Sequence, residues 1–101
     1  MTIQILGSAK RDLIDGFYFY EKQLPGLGSY FLDSIFSDID SLLIYSGIHK
    51  IKFESYYCML SKRFPFAIYY KVIEGNVFID AILDCRQNPD KIEDRLGGNP
   101  I

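Results

Sequence analysis

The sequence predicts an α+β fold: an N-terminal strand, then an antiparallel helical hairpin packed on a small antiparallel sheet, in the order β-α-α-β-β-β with a short C-terminal helix to close. Three features predict it. Apolar residues recur at helical spacing through residues 9–46, strand-like blocks fill residues 56–85, and Pro25-Gly26 and Glu74-Gly75-Asn76 supply the turns. The chain has 101 residues, 49% of them hydrophobic and 24% charged, which suits a folded core and excludes a disordered chain. No apolar run approaches the roughly 20 residues of a membrane helix. Met1-Thr2-Ile3-Gln4 places no basic region before an apolar stretch, so a soluble, unexported, cytoplasmic protein without a membrane partner is expected.

Ile3-Gln4-Ile5-Leu6 is a short extended start, broken by Gly7-Ser8, with Ser8 read as the N-cap of a helix opening at Ala9. Leu13, Phe17, Tyr20 and Leu24 form that helix's stripe, and Ile14 and Tyr18 widen it. Gly16 costs the helix about 1 kcal/mol relative to Ala and marks a close approach of the second helix. After the turn, Leu27, Phe31, Ile35, Ile39, Leu42 and Ser46 continue one long stripe, with Asp33, Asp38 and Asp40 on its outer side. Two striped helices joined by a short turn cannot bury both stripes alone.

The covering layer comes from strands at Tyr56 to Lys62, Phe66 to Ile73 and Val77 to Cys85. In the last strand, Val77, Ile79, Ala81, Leu83 and Cys85 make the apolar, helix-facing set. Phe78, Asp80, Ile82, Asp84 and Arg86 fall on the other face. Asn88-Pro89 ends the sheet, residues 90–96 make one or two helical turns, and residues 97–101 form a frayed or disordered tail to a single domain spanning 1–96.

Chemistry is sparse. His49 is the only histidine and reads as a turn or surface residue; no metal cluster, cofactor motif, phosphate loop or nucleophile triad is present. Cys58 and Cys85 read as plain buried thiols. The net charge of −2 argues against broad phosphate-backbone binding, yet residues 50–72 hold Lys50, Lys52, Lys62, Arg63 and Lys71 against Glu54 alone. In a meander the first and third strands run the same way, so Arg63 and Arg86 leave one end of the sheet and can clamp a phosphate or carboxylates. The ordinary alternative pairs Arg86 with Asp84 or a helix acid and leaves Arg63 solvated. Tyrosines and phenylalanines on the open face suit nucleotide stacking or a protein groove, with Tyr57, Phe66 and Ile82 as partner-surface residues.

Ala9-Lys10-Arg11-Asp12-Leu13, Tyr18-Phe19-Tyr20-Glu21 and Pro25-Gly26-Leu27-Gly28 occur in order. Lys62-Arg63-Phe64-Pro65-Phe66-Ala67-Ile68-Tyr69-Tyr70 and Asp84-Cys85-Arg86-Gln87-Asn88-Pro89 follow them. On these pieces the chain resembles the RelE/ParE superfamily of toxins from bacterial type II toxin–antitoxin modules, on the plasmid-stabilisation, ParE-like side. The resemblance implies a RelE/ParE-like fold with the N-terminal strand at the sheet edge. It also implies a cognate antitoxin as partner, with a homodimer or a hetero-oligomer with antitoxin. ParE-like members poison DNA gyrase, whereas RelE-like members cut mRNA on the ribosome. Under the ribonuclease reading, Arg63 and Arg86 contact phosphate, Lys50, Lys52, Lys62 and Lys71 assist, and Glu54 acts as base. Asn88 and Pro89 stand where some ribonuclease members place a histidine and a tyrosine, and neither can titrate. General acid–base transfer is worth roughly 10²–10⁴-fold, so the gyrase-binding reading is preferred, with the ribonuclease or a non-toxic protein-binding homologue as alternatives.

Overall fold

A computed structural model describes residues 1–97. Its elements are β1 (Ile3–Ile5), α1 (Gly7–Gln23), α2 (Leu27–Asp40), α3 (Leu42–Tyr45), β2 (Lys50–Lys52), β3 (Tyr56–Leu60), β4 (Phe66–Ile73), β5 (Asn76–Asp84) and α4 (Pro89–Arg95). The α+β hairpin-on-sheet architecture is as expected, and the tail expected from residue 97 lies outside the described residues except for Gly97. No helix among the described residues is long and apolar enough to cross a membrane.

The sheet is five-stranded in the order β1-β5-β4-β3-β2. Strands β2 to β5 are antiparallel neighbours, but β1 pairs with β5 in parallel, with Ile3 opposite Val77 and Ile5 opposite Ile79. The expected antiparallel sheet is therefore mixed. A parallel pair needs a long crossover, and the helical hairpin lies in the segment between these two strands. Strand β2 was not expected, because Lys-Ile-Lys has too little apolar character to register as a strand.

The helices cover one face. Leu13 and Tyr20 of α1, Phe31, Ile35 and Ile39 of α2, and Ile68, Tyr70, Val77 and Ile79 of the sheet meet in the main core. A smaller cluster on the opposite face joins Tyr56, Cys58, Tyr69, Ala81 and Leu83 to Ile92 and Leu96. The C-terminal segment thus shields the outer side of the sheet.

The two faces of β5 change places midway. Tyr69 pairs with Ala81 while the next residue, Tyr70, pairs with Ile79, so Asp80 is an extra residue on β5. Beyond this bulge the alternation is inverted. Ile82 enters the helix-side core, and Ala81 and Leu83 join the outer cluster, opposite to the strict alternation expected from the sequence.

The edge of β5 past β1 is closed by α1. Leu6 N–H donates to Ile79 O at 3.0 Å, Ser8 Oγ donates to Asp80 O at 2.8 Å, and Ile82 N–H donates to Asp12 Oδ2 at 3.0 Å. Ser8 is therefore a sheet-edge donor; the helix begins at Gly7, with Leu6 at the N-cap position. Arg95 returns from the C-terminus to grip Asp12 through both terminal nitrogens, at 2.9 and 2.7 Å.

The long second stripe is broken at Ser41, whose hydroxyl donates to Asp38 O at 2.6 Å, and α3 follows as a separate turn. Asp38 is buried rather than outward, accepting from Ser61 Oγ at 2.7 Å and from Lys62 N–H at 3.4 Å. Cys58 is buried as expected, but Cys85 is exposed because it follows the last residue of β5.

Gly16 does mark the close helical approach. A Cβ there would stand 2.5 Å from Cε2 of Phe31, a fully buried ring. Gly16→Ala should destabilise the fold by about 1–3 kcal/mol, the usual cost of overpacking, as measured by urea unfolding. Gly7→Ala, which meets nothing within 4 Å, should leave the midpoint nearly unchanged.

Candidate functional site

At one end of the sheet, β4 begins between the ends of β3 and β5. Phe66 pairs with Asp84, Ser61 N–H donates to Phe66 O at 2.8 Å, and Cys85 N–H donates to Pro65 O at 2.8 Å. Arg63, in the β3–β4 turn, and Arg86, just beyond β5, therefore leave the sheet at the same end.

They do not form a free pair of guanidiniums. Arg86 binds Asp84 through Nε at 3.0 Å and Nη2 at 2.7 Å, while its own backbone N–H donates to the same carboxylate at 2.8 Å. These bonds hold the Asp84 carboxyl below the usual carboxylate range. Burial pushes the nearby Tyr20 hydroxyl up, and Arg86 opposes that shift. Arg63 is exposed, and its guanidinium has no hydrogen-bond partner among the described residues.

Glu54 is elsewhere. It occupies the β2–β3 turn, at φ 69°, and is exposed. That turn precedes β3, whereas Arg63 follows it, and the five residues of β3 alone span roughly 17 Å. The trio assigned to phosphate contact and proton transfer is thus divided between opposite ends of the sheet.

Lys50 and Lys52 are exposed on β2, opposite Cys58 and Tyr56, and so lie on the outer face. Lys71 shares that face, with Nζ 4.6 Å from the Tyr56 ring centroid. Lys62 instead sits exposed in the β3–β4 turn. Of the expected partner surface, Phe66 and Ile82 are buried in the main core, Ile82 because of the bulge and Phe66 because its ring meets Phe31 with centroids 4.9 Å apart. Tyr57 is partly buried and stacks on Tyr70 at 5.2 Å.

The open apolar surface lies on the helices. A groove of about 540 Å³ runs between α1, α2 and β1, lined by Ile5, Ile14, Phe17, Tyr18, Leu32 and Phe36, with Lys10 beside them. Ile14 is 55% exposed and Tyr18 59%. Their sequence signal was the widened stripe on the first helix, read as core; its width exceeds what the sheet covers.

No protein-family model and no curated protein matches the sequence. Among solved structures, a chain of the chromosomal ParDE TA system from P. aeruginosa superimposes with a TM-score of 0.75. The match covers 81% of this chain and 92% of that chain, at 16% identity. The fold is ParE-like. The sequence resemblance and the three-dimensional likeness agree on the architecture, with the helical hairpin and sheet in the same arrangement.

A second polar feature joins the helices to the edge of this ParE-like sheet. Gly47 N–H donates to the buried Tyr70 hydroxyl at 2.9 Å, and that hydroxyl is also bonded to Nδ1 of His49. The Tyr70 hydroxyl thus accepts from Gly47 and pairs with the imidazole, tying the segment ahead of β2 to the core. Burial lowers the His49 pKa. The unfolded chain then takes up the proton first, so stability is full above the ordinary imidazole pKa of about 6.5 and is lost as pH falls through and below it. Urea unfolding from pH 7.5 to 5 should show that loss. In His49→Asn, which keeps an acceptor and cannot titrate, the decline should shrink.

Proposed function

We propose that this protein is the toxin of a type II toxin–antitoxin module, that it acts in the cytoplasm by binding DNA gyrase, and that a cognate antitoxin silences it. Residues 1–96 form the toxin domain, in a hetero-oligomer with the antitoxin when silenced. The observation that carries this reading is the apolar groove on the hairpin of a ParE-like fold. Exposed Ile14 and Tyr18 stand four residues apart on α1, the spacing at which an amphipathic helix meets its receptor. Lys10 beside the groove suits an acidic flank on that helix. Gyrase poisoning by binding asks for no acid–base pair, and the separation of Glu54 from Arg63 and Arg86 fits a protein that works by contact.

Expression alone should arrest growth with DNA damage and filamentation, leaving mRNA intact, and co-expressed antitoxin should restore growth. Ile14→Asp with Tyr18→Asp should keep the circular dichroism spectrum and weaken antitoxin binding at least about 30-fold, the loss of a single ~2 kcal/mol anchor. Unchanged affinity in that variant would remove the groove from the interface.

A second reading is favoured by one observation, the presence of Lys50, Lys52 and Lys71 together on the outer face of the sheet, a basic strip that suits an RNA backbone. It makes the protein a ribosome-dependent endoribonuclease in which Arg63 and Arg86 stabilise the transition state. Cleavage mapped to the ribosomal A site, abolished by Arg63→Ala with Arg86→Ala, would establish it in place of gyrase binding. A chain that causes no growth arrest would be a non-toxic, protein-binding homologue.

A further inference from the structure

Strand β2 ends the sheet, and Lys50, Ile51 and Lys52 are all exposed. Its side chains alternate by face. Lys50 and Lys52 pair with Cys58 and Tyr56 of the outer cluster, whereas Ile51 pairs with Tyr57, which packs against the helix-side core. Ile51 is 56% exposed, and the segment leading into β2 carries Ile44 and Ile48, 78% and 71% exposed. The strand is also well anchored. The Tyr70 hydroxyl holds Gly47 and His49 just ahead of it, and Phe53, just after it, packs against the outer cluster.

We propose that β2 is a docking edge for an extended, acidic segment of a partner protein, which adds a sixth strand to the sheet. Carboxylates at alternate positions of that segment lie over Lys50 and Lys52, and the apolar side chains between them lie beside Ile51. Main-chain hydrogen bonds to the open edge supply affinity, and the alternation supplies specificity. Charge selects the occupant. A second copy of this chain pairing antiparallel about Ile51 would set Lys50 against Lys52 on both sides, a like-charge contact that opposes self-association. Lysines placed only to keep the edge unpaired would require no exposed isoleucines between and before them. The site is separate from the groove of the functional reading: that groove includes Ile5 of β1, at the opposite edge, four strand spacings or roughly 19 Å away.

The test uses the full-length protein, labelled with ¹⁵N, and the synthetic peptide Glu-Val-Glu-Val-Glu-Val-Glu titrated to millimolar concentration. Saturable amide shifts centred on Lys50, Ile51 and Lys52, with slowed hydrogen exchange there, are expected. Lys50→Glu with Lys52→Glu should weaken the peptide at least tenfold, as should replacing every peptide Glu with Lys. Ile51→Thr, which preserves strand propensity and both charges, should weaken it several-fold and serves as the variant if the double charge reversal fails to fold. Absence of saturable binding would overturn the proposal, as would shifts confined to Ile14 and Tyr18, or a protein that dimerises through β2. Because the peptide readout does not involve growth or gyrase, failure here leaves the functional reading standing, and failure of that reading leaves this edge standing.

Discussion

A single carboxylate ties the three layers of this molecule together. Asp12 on α1 accepts the Ile82 backbone N–H immediately after the β5 bulge and, with the same side chain, receives the bidentate grip of Arg95. The first contact fastens the hairpin to the sheet where β1 has run out. The second anchors the C-terminal segment that brings Ile92 and Leu96 over the outer cluster. Its partly buried position, with side-chain exposure of 10%, makes this pair stronger than a solvated surface bridge. Without it, the edge of β5 would present an unpaired donor and the outer face would lose the tie that holds its cover.

The bulge shows why some of the structure was legible in the sequence and some was not. Long stripes with a 3.6-residue period, the short extended start at Ile3 to Leu6 and strands separated by Glu74-Gly75-Asn76 are local signals, and they placed both main helices and four of the strands. An extra residue in a strand leaves no mark in the alternation read from one strand alone; it exists only relative to the register of β4. Ile82 was accordingly assigned to the open face although it is fully buried. The direction of β1, the strand status of Lys50–Lys52 and the burial of Asp38 were hidden for the same reason. Each depends on a partner far along the chain.

The candidate site divides similarly. That Arg63 and Arg86 share a sheet end follows from counting antiparallel strands, and the structure has that arrangement. Arg86 is nevertheless committed to Asp84, two residues earlier, a pairing the sequence left as one of two alternatives. The groove on the helices was written plainly as Ile14 and Tyr18, yet periodicity cannot distinguish an apolar residue facing a sheet from one facing an absent partner. Burial requires knowing how much area the second layer can cover, and this small sheet covers only part of the hairpin.

The parallel pairing of β1 with β5 bears on how the protein is made. Thr2 and Ile3 meet Asn76 and Val77, partners 74 residues away in the chain, so the sheet cannot close until β5 has been made. Such non-local closure is slow to form, and a nascent chain stalled before β5 leaves the ribosome has no complete sheet. Any surface that depends on the closed sheet therefore takes shape only after β5 has been released to pair with β1.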